Sequence, residues 1–411
     1  MPVYNRHMLP RGYEVLDLLV LAVEKQVPPY VYEYMSFDGR LDVDRLADAV
    51  DAVAAIVPES LWRLDSHHPR FKKAGFTSRQ AVTESWQAPQ CGRTWDIRHD
   101  TQVKIEVVHG LDNDSMIFGI SHVLSDGAGM LQYLALLADA YNGPLPRYHN
   151  NRSSKMVMAA ADFGPATDGE TRGKQIPPRN LPLPDGGQDH FCRHVTLPAS
   201  TMKPLADLAK SHSATLNDVF LTACGRVAAQ MLDMPAVSLQ CPVNLRPYVN
   251  TGPVSIANMT GLYRVTMDVD PGDPFSTTLE QVHREIVLQR ERGRHFYNMP
   301  ALERPTKIYP AFVLRRWLGK SYSVRPVEYT NLGVLPPLTF SGVRTTSAYF
   351  TGAYGHYPEF PVSISGFAGT TTFATTLAGD ERRADAGETV MRRIIQEFED
   401  WLAQEGQPAE S

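Results

Sequence analysis

The sequence predicts an α/β (α+β) protein of two domains, and three features of the chain lead to that prediction. Its 411 residues are enough for two domains of ordinary size, each with its own buried core. Segments with the period of a strand alternate with segments of helical period. Residues 151–189 are polar, proline-rich and without periodicity, as linkers are. We therefore expect domains at residues 1–150 and 190–411.

The elements of the first predicted domain follow one another in a clear order. Residues 31–37 have the composition of a strand. Asp42 is a suitable N-cap for a helix that follows this strand, and Pro58 is a suitable stop. Residues 102–109 and 115–122 are predicted to form a hairpin, because turn residues separate the two apolar runs. The predicted helix has its apolar face at Leu46, Val50, Val53 and Val57.

The most informative residues stand where the hairpin ends. His122, Asp126 and Gly127 spell His-x-x-x-Asp-Gly between an apolar strand and a helix predicted over residues 130–141. Such a corner can present an imidazole to a cleft while the strand and the helix hold it still. Histidine suits proton transfer near neutral pH because its ordinary pKa is about 6.5. The alternative interpretation is a core histidine beside an Asp-Gly turn.

The second predicted domain begins with a strand and two helices. The strand covers residues 191–197, and the helices are predicted at 202–211 and 217–232. The second of these helices is apolar on most sides, so we expect it to be largely buried. The domain closes with an amphipathic helix whose apolar face carries Met391, Ile394, Ile395, Phe398 and Trp401.

Four further short runs complete a pattern that extends over most of the chain. They are Thr215-Leu-Asn-Asp-Val219, Pro242-Val-Asn-Leu-Arg-Pro247, Asn258-Met-Thr-Gly261 and Tyr329-Thr-Asn-Leu-Gly333. With the His-x-x-x-Asp-Gly motif and the order of elements, they resemble the condensation-domain and CoA-dependent acyltransferase superfamily. That superfamily includes peptide synthetase condensation domains, BAHD acyltransferases, mycobacterial polyketide-associated acyltransferases and chloramphenicol acetyltransferase. The resemblance implies two chloramphenicol-acetyltransferase-like lobes, each a mixed β-sheet with flanking helices, that form a V around a central tunnel.

The resemblance also assigns roles to the motif residues. It implies that His122, in the middle of the tunnel, takes a proton from an acceptor hydroxyl or amine as that group attacks a thioester carbonyl. Its alternative role is to position the nucleophile. Asp126 is expected to be structural and paired with Arg246, which stands at the matching position of the second lobe; an exposed loop arginine is the alternative for Arg246. Gly127 is expected to permit a tight turn and the close approach of an incoming chain.

Four more residues are expected along the substrate tunnel by the same resemblance. Asn258 and Asn331 match superfamily positions, with ordinary turn asparagines as the alternative. Ser121 stands where condensation domains usually have a second histidine, and this departure argues against peptide-bond formation more than against acyl transfer. His356 is expected on the acceptor side of the tunnel.

Other catalytic schemes find no support in the sequence. There is no Gly-x-Ser-x-Gly elbow, no Gly-x-x-x-x-Gly-Lys-Ser/Thr loop and no Gly-x-Gly-x-x-Gly run. The four cysteines lack the spacing of a metal or redox site, so we expect no metal and no bound cofactor. The resemblance implies acyl-CoA or a phosphopantetheine-linked acyl carrier protein as the co-substrate. No carrier or adenylation domain fits in 411 residues, so a carrier is expected to act in trans.

Charge and hydropathy constrain the partners. A net charge of −5 argues against general nucleic-acid binding. Residues 284–325 are an exception, with ten Lys or Arg against three Glu. Arg315, Arg316 and Lys320 are predicted to dock the phosphates of the donor; a solvated helical face and a peripheral membrane contact are the alternatives. Because the sequence has no signal-peptide pattern and no membrane-length apolar run, we expect a cytoplasmic protein, and a monomer.

Together, the residues and the resemblance predict a stand-alone condensation-like acyltransferase. It is expected to move an acyl group from a CoA or carrier-protein thioester to a hydroxyl or amine, in secondary metabolism or lipid tailoring. Two alternatives stay open: cyclisation or epimerisation of a carrier-bound intermediate, and a non-catalytic module that recruits a partner. The intact set of His122, Asp126 and Arg246 favours acyl transfer over the recruitment module.

Overall fold

The chain folds into two lobes, each built around a mixed sheet. The computed structural model describes residues 11–25, 27–65, 68, 70–87, 94–161, 176, 179–296, 313–314, 316–317, 325–355 and 359–405. The elements up to residue 161 are β1 (Arg11–Gly12), α1 (Val15–Val23), β2 (Tyr30–Phe37), α2 (Val43–Ala54), a 3-10 turn (Pro58–Leu61), β3 (Arg63–Leu64), β4 (Arg70–Lys72), α3 (Ser78–Ala81), β5 (Val82–Ser85), β6 (Val103–His109), β7 (Asp114–Ser121), α4 (Gly127–Asn142) and α5 (Lys155–Ala161).

The later elements begin with a long strand near residue 190. They are β8 (Asp189–Leu197), α6 (Ala199–Ser211), α7 (Leu216–Leu232), β9 (Ala236–Asn244), a 3-10 turn (Arg246–Tyr248), β10 (Thr260–Asp268), α8 (Phe275–Glu291), a 3-10 turn (Arg294–Phe296), β11 (Glu328–Val334), β12 (Thr339–Phe340), β13 (Val343–Thr351), β14 (Pro361–Phe367), β15 (Thr370–Gly379) and α9 (Glu381–Glu405).

The first lobe contains a six-stranded sheet in the order β12-β13-β2-β7-β6-β5. The β6–β7 hairpin is antiparallel, as the sequence predicts, and β5 runs parallel to β6. One face of this sheet packs on α2 and α4, whose apolar residues belong to the same core. The Asp42 carboxylate accepts a hydrogen bond from the Arg45 N–H and so caps α2, as predicted. The helix ends at Ala54, and Pro58 begins the 3-10 turn beyond it.

The second lobe contains a four-stranded sheet in the order β11-β14-β15-β8, and β9 pairs with β10. The β11–β14 pair is parallel, whereas the other pairs of this sheet are antiparallel. Helix α7 is buried along most of its length, and the predicted apolar face of α9 lies in the same core. The predicted mixed α/β fold with two sheet-based lobes is confirmed.

The two lobes share more of the chain than the sequence boundaries suggest. Strand β13 pairs antiparallel with β2, so residues 339–351 lie in the sheet of the first lobe although they follow residue 190. The segment 151–189 also contains ordered structure: α5 lies within it, and Leu181 and Leu183 are buried in the second core. Among the described helices, none combines the length and the hydropathy needed to cross a membrane.

A small apolar cluster joins α1, α5 and the chain just before β10. Two of its members bond Asp126 through their backbone, Ala257 by its carbonyl and Met259 by its N–H, so the cluster is joined to the strand–helix corner that carries His122. Its buried members are Leu16, Val157, Met158, Leu245, Ala257 and Met259.

Candidate active site

His122 is the first residue after β7, at the corner between that strand and α4. Its backbone N–H donates to the Pro29 carbonyl at 2.7 Å, which continues the ladder between β2 and β7. The chain then turns, with the Leu124 N–H bonded to the Ser121 carbonyl at 2.8 Å, before α4 begins. The His122 side chain is half-buried. The backbone on both sides of the imidazole is therefore held in place, while His122 as a residue remains partly exposed.

The imidazole is held by an asparagine from the second lobe. His122 Nδ1 lies 3.2 Å from Asn258 Oδ1. The amide nitrogen of Asn258 donates to Asp17 Oδ1 at 2.8 Å and to the His122 carbonyl at 2.9 Å. Arg152 Nη2 lies 2.8 Å from the other oxygen of Asp17. These four residues form one connected polar group that we call the histidine network.

Asp17 is the buried charge of the histidine network. Its side chain is fully buried, and burial raises its pKa, while Arg152 and the hydrogen bond from Asn258 act in the opposite direction. Arg152 is also buried, and it bonds the carbonyls of Leu124 and Ile256. A buried ion pair of this kind is tolerated because its polar atoms have partners on all sides.

Asp126, the acid of the motif, is buried and has several hydrogen-bond donors around it. Its Oδ1 accepts from the Gly129 N–H at 2.9 Å, which caps α4, and lies 3.0 Å from Arg246 Nη2. Its Oδ2 accepts from the Met259 N–H at 2.7 Å, from Thr260 Oγ1 at 2.9 Å and from Arg246 Nη1 at 3.1 Å. Burial alone would raise the pKa of Asp126, but Arg246 and the hydrogen bonds lower it overall. Asp126 is thus a structural anion.

Arg246 meets Asp126 as the resemblance implies. The guanidinium also donates from Nε to the Ser255 carbonyl at 3.0 Å and from Nη2 to the Ala257 carbonyl at 2.8 Å. A further bond from Nη1 reaches Asn244 Oδ1 at 3.2 Å. Because these bonds engage both terminal nitrogens and Nε, Arg246 ties the start of α4 to the 254–259 segment that carries Asn258.

Gly127 of the motif and Gly129, two residues later, are both needed for close packing. Gly127 has no positive φ, so the turn itself does not require glycine there, contrary to the expectation of a tight glycine turn. A Cβ on Gly127 would instead come within 2.8 Å of Leu332 Cδ1. A Cβ on Gly129 would overlap Ser125 Oγ and lie 3.0 Å from Arg246 Nη2.

Two of the other residues predicted to line the tunnel, Ser121 and Asn331, are described in the structure. Ser121 is fully buried, and its hydroxyl accepts from the Val123 N–H at 3.3 Å, so it offers no accessible surface in this structure. Asn331 Nδ2 donates to Asn217 Oδ1 at 3.1 Å, and it makes no described bond to His122. His356 lies outside the described residues.

The predicted donor-docking residues are only partly described. Arg316 is exposed and is followed by Trp317, whose exposed fraction is 54%. Arg315 and Lys320 lie outside the described residues.

Sequence reasoning missed Asp17 and Arg152 as members of the histidine network, and Asn217 as the partner of Asn331. Asp17 was recognisable as the single charge inside the apolar run of α1, which is costly unless it has a partner. Arg152 falls in the segment interpreted as a linker, where a buried arginine is not expected. Asn217 lies inside a matched run, but nothing local distinguishes it from other polar residues of a first helical turn.

A cavity of about 630 Å³ opens beside the strand ends that present His122. Pro29, whose carbonyl holds the His122 N–H, lines it, and so do Tyr30 and Trp95, whose ring centroids lie 4.4 Å apart. Arg98 Nη2 binds both oxygens of Glu24, at 2.8 and 2.6 Å, so these two charges in the wall cancel. The remaining lining residues are Lys25, Pro28, Thr94, Asp96, Ile97 and His190.

Comparison with known proteins begins with the sequence. No family model matches the chain. Two uncharacterized proteins of Mycobacterium tuberculosis, from strains CDC 1551 and H37Rv, are each 26% identical to it over 410 residues. The alignment covers 86% of this chain and 91% of each relative. These relatives carry no described activity.

Three solved structures extend the comparison to the fold. The first condensation domain of the calcium-dependent antibiotic synthetase, with a substrate analogue, superposes with a TM-score of 0.70 at 14% identity, covering 98% of both chains. TRI3 trichothecene 15-O-acetyltransferase from Fusarium sporotrichioides gives 0.64 at 10% identity, covering 94% of this chain and 95% of that one. The epimerization domain from the third module of tyrocidine synthetase B gives 0.61 at 13% identity, covering 92% and 93%.

The chain therefore has the fold shared by condensation domains and related acyltransferases. The likeness extends over nearly its whole length and includes both lobes.

Proposed function

We propose that this protein is an acyltransferase that moves an acyl group from a thioester to a hydroxyl or amine, with His122 as the general base. The observation that carries the proposal is the half-buried imidazole of His122, held from behind by Asn258 of the other lobe, in a fold shared with an O-acetyltransferase. Fold likeness alone does not define chemistry, so His122 and its partners carry the assignment of the reaction.

The reaction needs one group that can both take and return a proton. The acceptor O–H or N–H gives its proton to His122 as the oxygen or nitrogen attacks the thioester carbonyl carbon. The tetrahedral intermediate then collapses, the carbon–sulfur bond breaks, and the imidazolium returns the proton to the leaving thiolate. General-base help of this kind contributes about 10²- to 10⁴-fold in rate.

Asp126 is not available for this proton transfer. Its carboxylate is buried, its pKa is lowered, and both oxygens are bonded to Arg246. Its role in the proposal is to hold α4 and the 254–259 segment together, so that His122 and Asn258 stay in register.

The donor in this proposal is a CoA thioester or an acyl group on the phosphopantetheine arm of a carrier protein. A solved neighbour, the starter condensation domain of rhizomide synthetase, is in complex with C8-CoA, which supports a CoA-linked donor at this fold. Exposed Arg316, together with Arg315 and Lys320, is proposed to contact the phosphates of the donor.

The cavity beside Pro29 is proposed to receive the acceptor. It borders the strand ends that carry His122, and its aromatic wall formed by Tyr30 and Trp95 suits an apolar body. Because Glu24 and Arg98 neutralise each other, the wall favours an acceptor without a strong net charge.

A second candidate function is epimerisation, which the likeness to an epimerization domain supports. The same imidazole could remove a proton from a carbon next to the thioester carbonyl without any acyl transfer. Incubation with acyl-CoA or acyl-carrier donors and a panel of alcohols and amines in deuterated water separates the two. Mass spectrometry that finds the acyl group on an acceptor supports acyl transfer, and deuterium gained by an unchanged donor supports epimerisation.

A further inference from the structure

The orientation of the Asn258 amide is fixed by the atoms around its nitrogen. Nδ2 lies 2.8 Å from Asp17 Oδ1, 2.9 Å from the His122 carbonyl and 3.2 Å from the Val123 carbonyl. Main-chain carbonyl oxygens can only accept hydrogen bonds. Rotation of the amide by 180° would place its oxygen against these acceptors and remove the hydrogen bond that each of them accepts from Nδ2, which is costly for buried groups.

Asp17 also acts here as an acceptor. Besides Asn258, its carboxylate meets Arg152 Nη2 at 2.8 Å and the Glu14 N–H at 2.9 Å, and both of these can only donate. Both of these donors bind Oδ2, which leaves Oδ1 to accept from the amide nitrogen of Asn258. Asp17 therefore binds the amide nitrogen of Asn258. This leaves the amide oxygen on the side of the amide that faces His122.

With the NH₂ group directed at Asp17, the oxygen of Asn258 is the atom that faces His122 Nδ1, at 3.2 Å. We infer that Asn258, oriented by Asp17 of α1, keeps the proton of the neutral His122 ring on Nδ1 and so leaves the lone pair on Nε2. Asp17 and Asn258 are then positioning residues, which act on the reaction through His122 and do not touch the substrate. The inference rests on the proposed function for its purpose, but the position of the proton can be measured without any substrate.

The arrangement brings together three separate parts of the chain. Asp17 and Asn258 are 241 positions apart, and Asp17 and Arg152 are 135 apart. Helix α1, which precedes the first strand of the large sheet, therefore helps to determine which nitrogen of His122 carries the proton. Histidine without a neighbour prefers the proton on Nε2, so an acceptor at Nδ1 is needed to reverse that preference.

Long-range ¹H–¹⁵N NMR of protein labelled at its histidines reads the proton position directly. The spectrum is recorded at pH 8, where an ordinary imidazole is neutral, and the His122 signals are those lost in His122→Gln. In the native protein we expect Nε2 to show the shift of a bare nitrogen. In Asn258→Leu, which removes the acceptor but keeps the side-chain volume, we expect Nε2 to carry the proton and kcat/KM to fall about 100-fold or more with little change in KM.

Two further variants separate positioning from general damage. Asn150→Leu removes a side chain that braces the same segment through the Ile256 backbone but does not contact His122, so the tautomer should stay as in the native protein. Replacing the buried pair by apolar residues, Asp17→Leu with Arg152→Met, keeps the core filled and leaves only the His122 and Val123 carbonyls to orient the amide, so a measurable share of molecules should carry the proton on Nε2.

The results distinguish this inference from the proposed function. A native protein with its proton on Nε2, or an Asn258→Leu protein with the native tautomer, overturns the inference whatever the activity is. A bare Nε2 in a protein that transfers no acyl group leaves the inference standing and removes the proposed function.

Discussion

Arg246 and Asp126 meet through two nitrogens and two oxygens, with Nη1 3.1 Å from Oδ2 and Nη2 3.0 Å from Oδ1. The pair joins the start of α4 in the first lobe to the chain that leaves β9 in the second. Both side chains are buried, so neither charge has water to replace its partner. The contact therefore fixes the position of the 254–259 segment, on which Asn258 and the orientation of His122 depend.

Removal of one member of this pair should destabilise the protein strongly. Asp126→Ala leaves the Arg246 guanidinium buried without its counter-ion and removes the cap of α4. We expect the free energy of unfolding to fall by about 3–5 kcal/mol. Denaturant unfolding measures the change. Arg246→Ala should behave similarly, and the double variant should lose less than the sum of the two single losses. Strictly additive losses would show that the two side chains are not coupled.

His122→Ala should reduce activity strongly and stability only slightly, whereas Asp126→Ala reduces stability strongly. The ring is half-buried and makes one described side-chain hydrogen bond, so its removal should cost about 1 kcal/mol of stability. Loss of the general base should reduce kcat by about 10²- to 10⁴-fold. Melting temperature and thioester turnover are measured on the same preparation.

The matched control is His109→Ala, at the far end of the same hairpin. His109 bonds Asp114 and Glu84, so the variant removes comparable contacts away from the site. It should keep near-native turnover. Turnover within a few-fold of native in His122→Ala would remove the general-base assignment.

Gly127 and Gly129, at the start of α4, should differ in their tolerance of alanine. In Gly129→Ala the new methyl group overlaps Ser125 Oγ and approaches Arg246 Nη2, and both are held in buried bonds. We expect a loss of about 1–3 kcal/mol from overpacking, with a loss of activity. In Gly127→Ala the methyl group meets only the mobile end of the Leu332 side chain, so the loss should be smaller. Equal losses measured by thermal unfolding would contradict the packing account.

Glu33 should make stability depend on pH in a defined direction. It lies in the middle of β2 with an exposed fraction of 1%, and burial raises its pKa to about 8. Its Oε2 has no hydrogen-bond partner among the described residues. An acid whose folded pKa is raised contributes its full stability below about pH 4.5, and that contribution is lost as the pH rises to about 8.

Across this window the free energy of unfolding should fall by up to about 1.4 kcal/mol per pH unit through Glu33. Glu33→Gln cannot ionise, so it should flatten the decline and be more stable than the parent at pH 8. Urea unfolding at several pH values tests this. Parallel pH profiles for parent and variant would mean that Glu33 is ionised or solvated in the folded protein.

Reversal of the basic charges should affect donor binding and little else. With Arg315, Arg316 and Lys320 all changed to Glu, we expect the KM for the donor to rise, most steeply at low salt, with kcat nearly unchanged. The triple variant Arg382→Glu, Arg392→Glu and Arg393→Glu, at exposed positions of α9, changes the net charge by the same amount and should leave the KM unchanged. An unaltered donor KM at low ionic strength would assign this stretch to an ordinary solvated surface.

Much of this architecture was accessible from local sequence patterns. The hairpin, the caps and the apolar faces of α7 and α9 follow from residues close together in the chain. The contact of Asp126 with Arg246 was predicted only through a resemblance, since no local pattern links residues 120 positions apart. The return of β13 to the first sheet and the helix in the segment 151–189 escaped prediction for a related reason. Which strands pair, and which polar residues become buried, is decided by packing between distant segments.

The histidine network shows the same limit most clearly. Asp17 is the one charge in an apolar helix, which indicates that it has a buried partner. The sequence of the helix does not identify that partner. Arg152 and Asn258 become its partners only when α1, the chain after α4 and the chain before β10 meet in one small apolar cluster.

The most direct test of the central claim compares acceptor-dependent thiol release by the native protein and by His122→Gln. Each is given an acyl thioester, as acyl-CoA or loaded on a carrier protein, with and without an alcohol or amine acceptor. The account predicts that the native protein releases free thiol and yields acylated acceptor in equal amounts, and that His122→Gln, folded to the same extent, is slower by about 100-fold or more. Equal rates for the two proteins, or thiol release with no acylated acceptor, would contradict it.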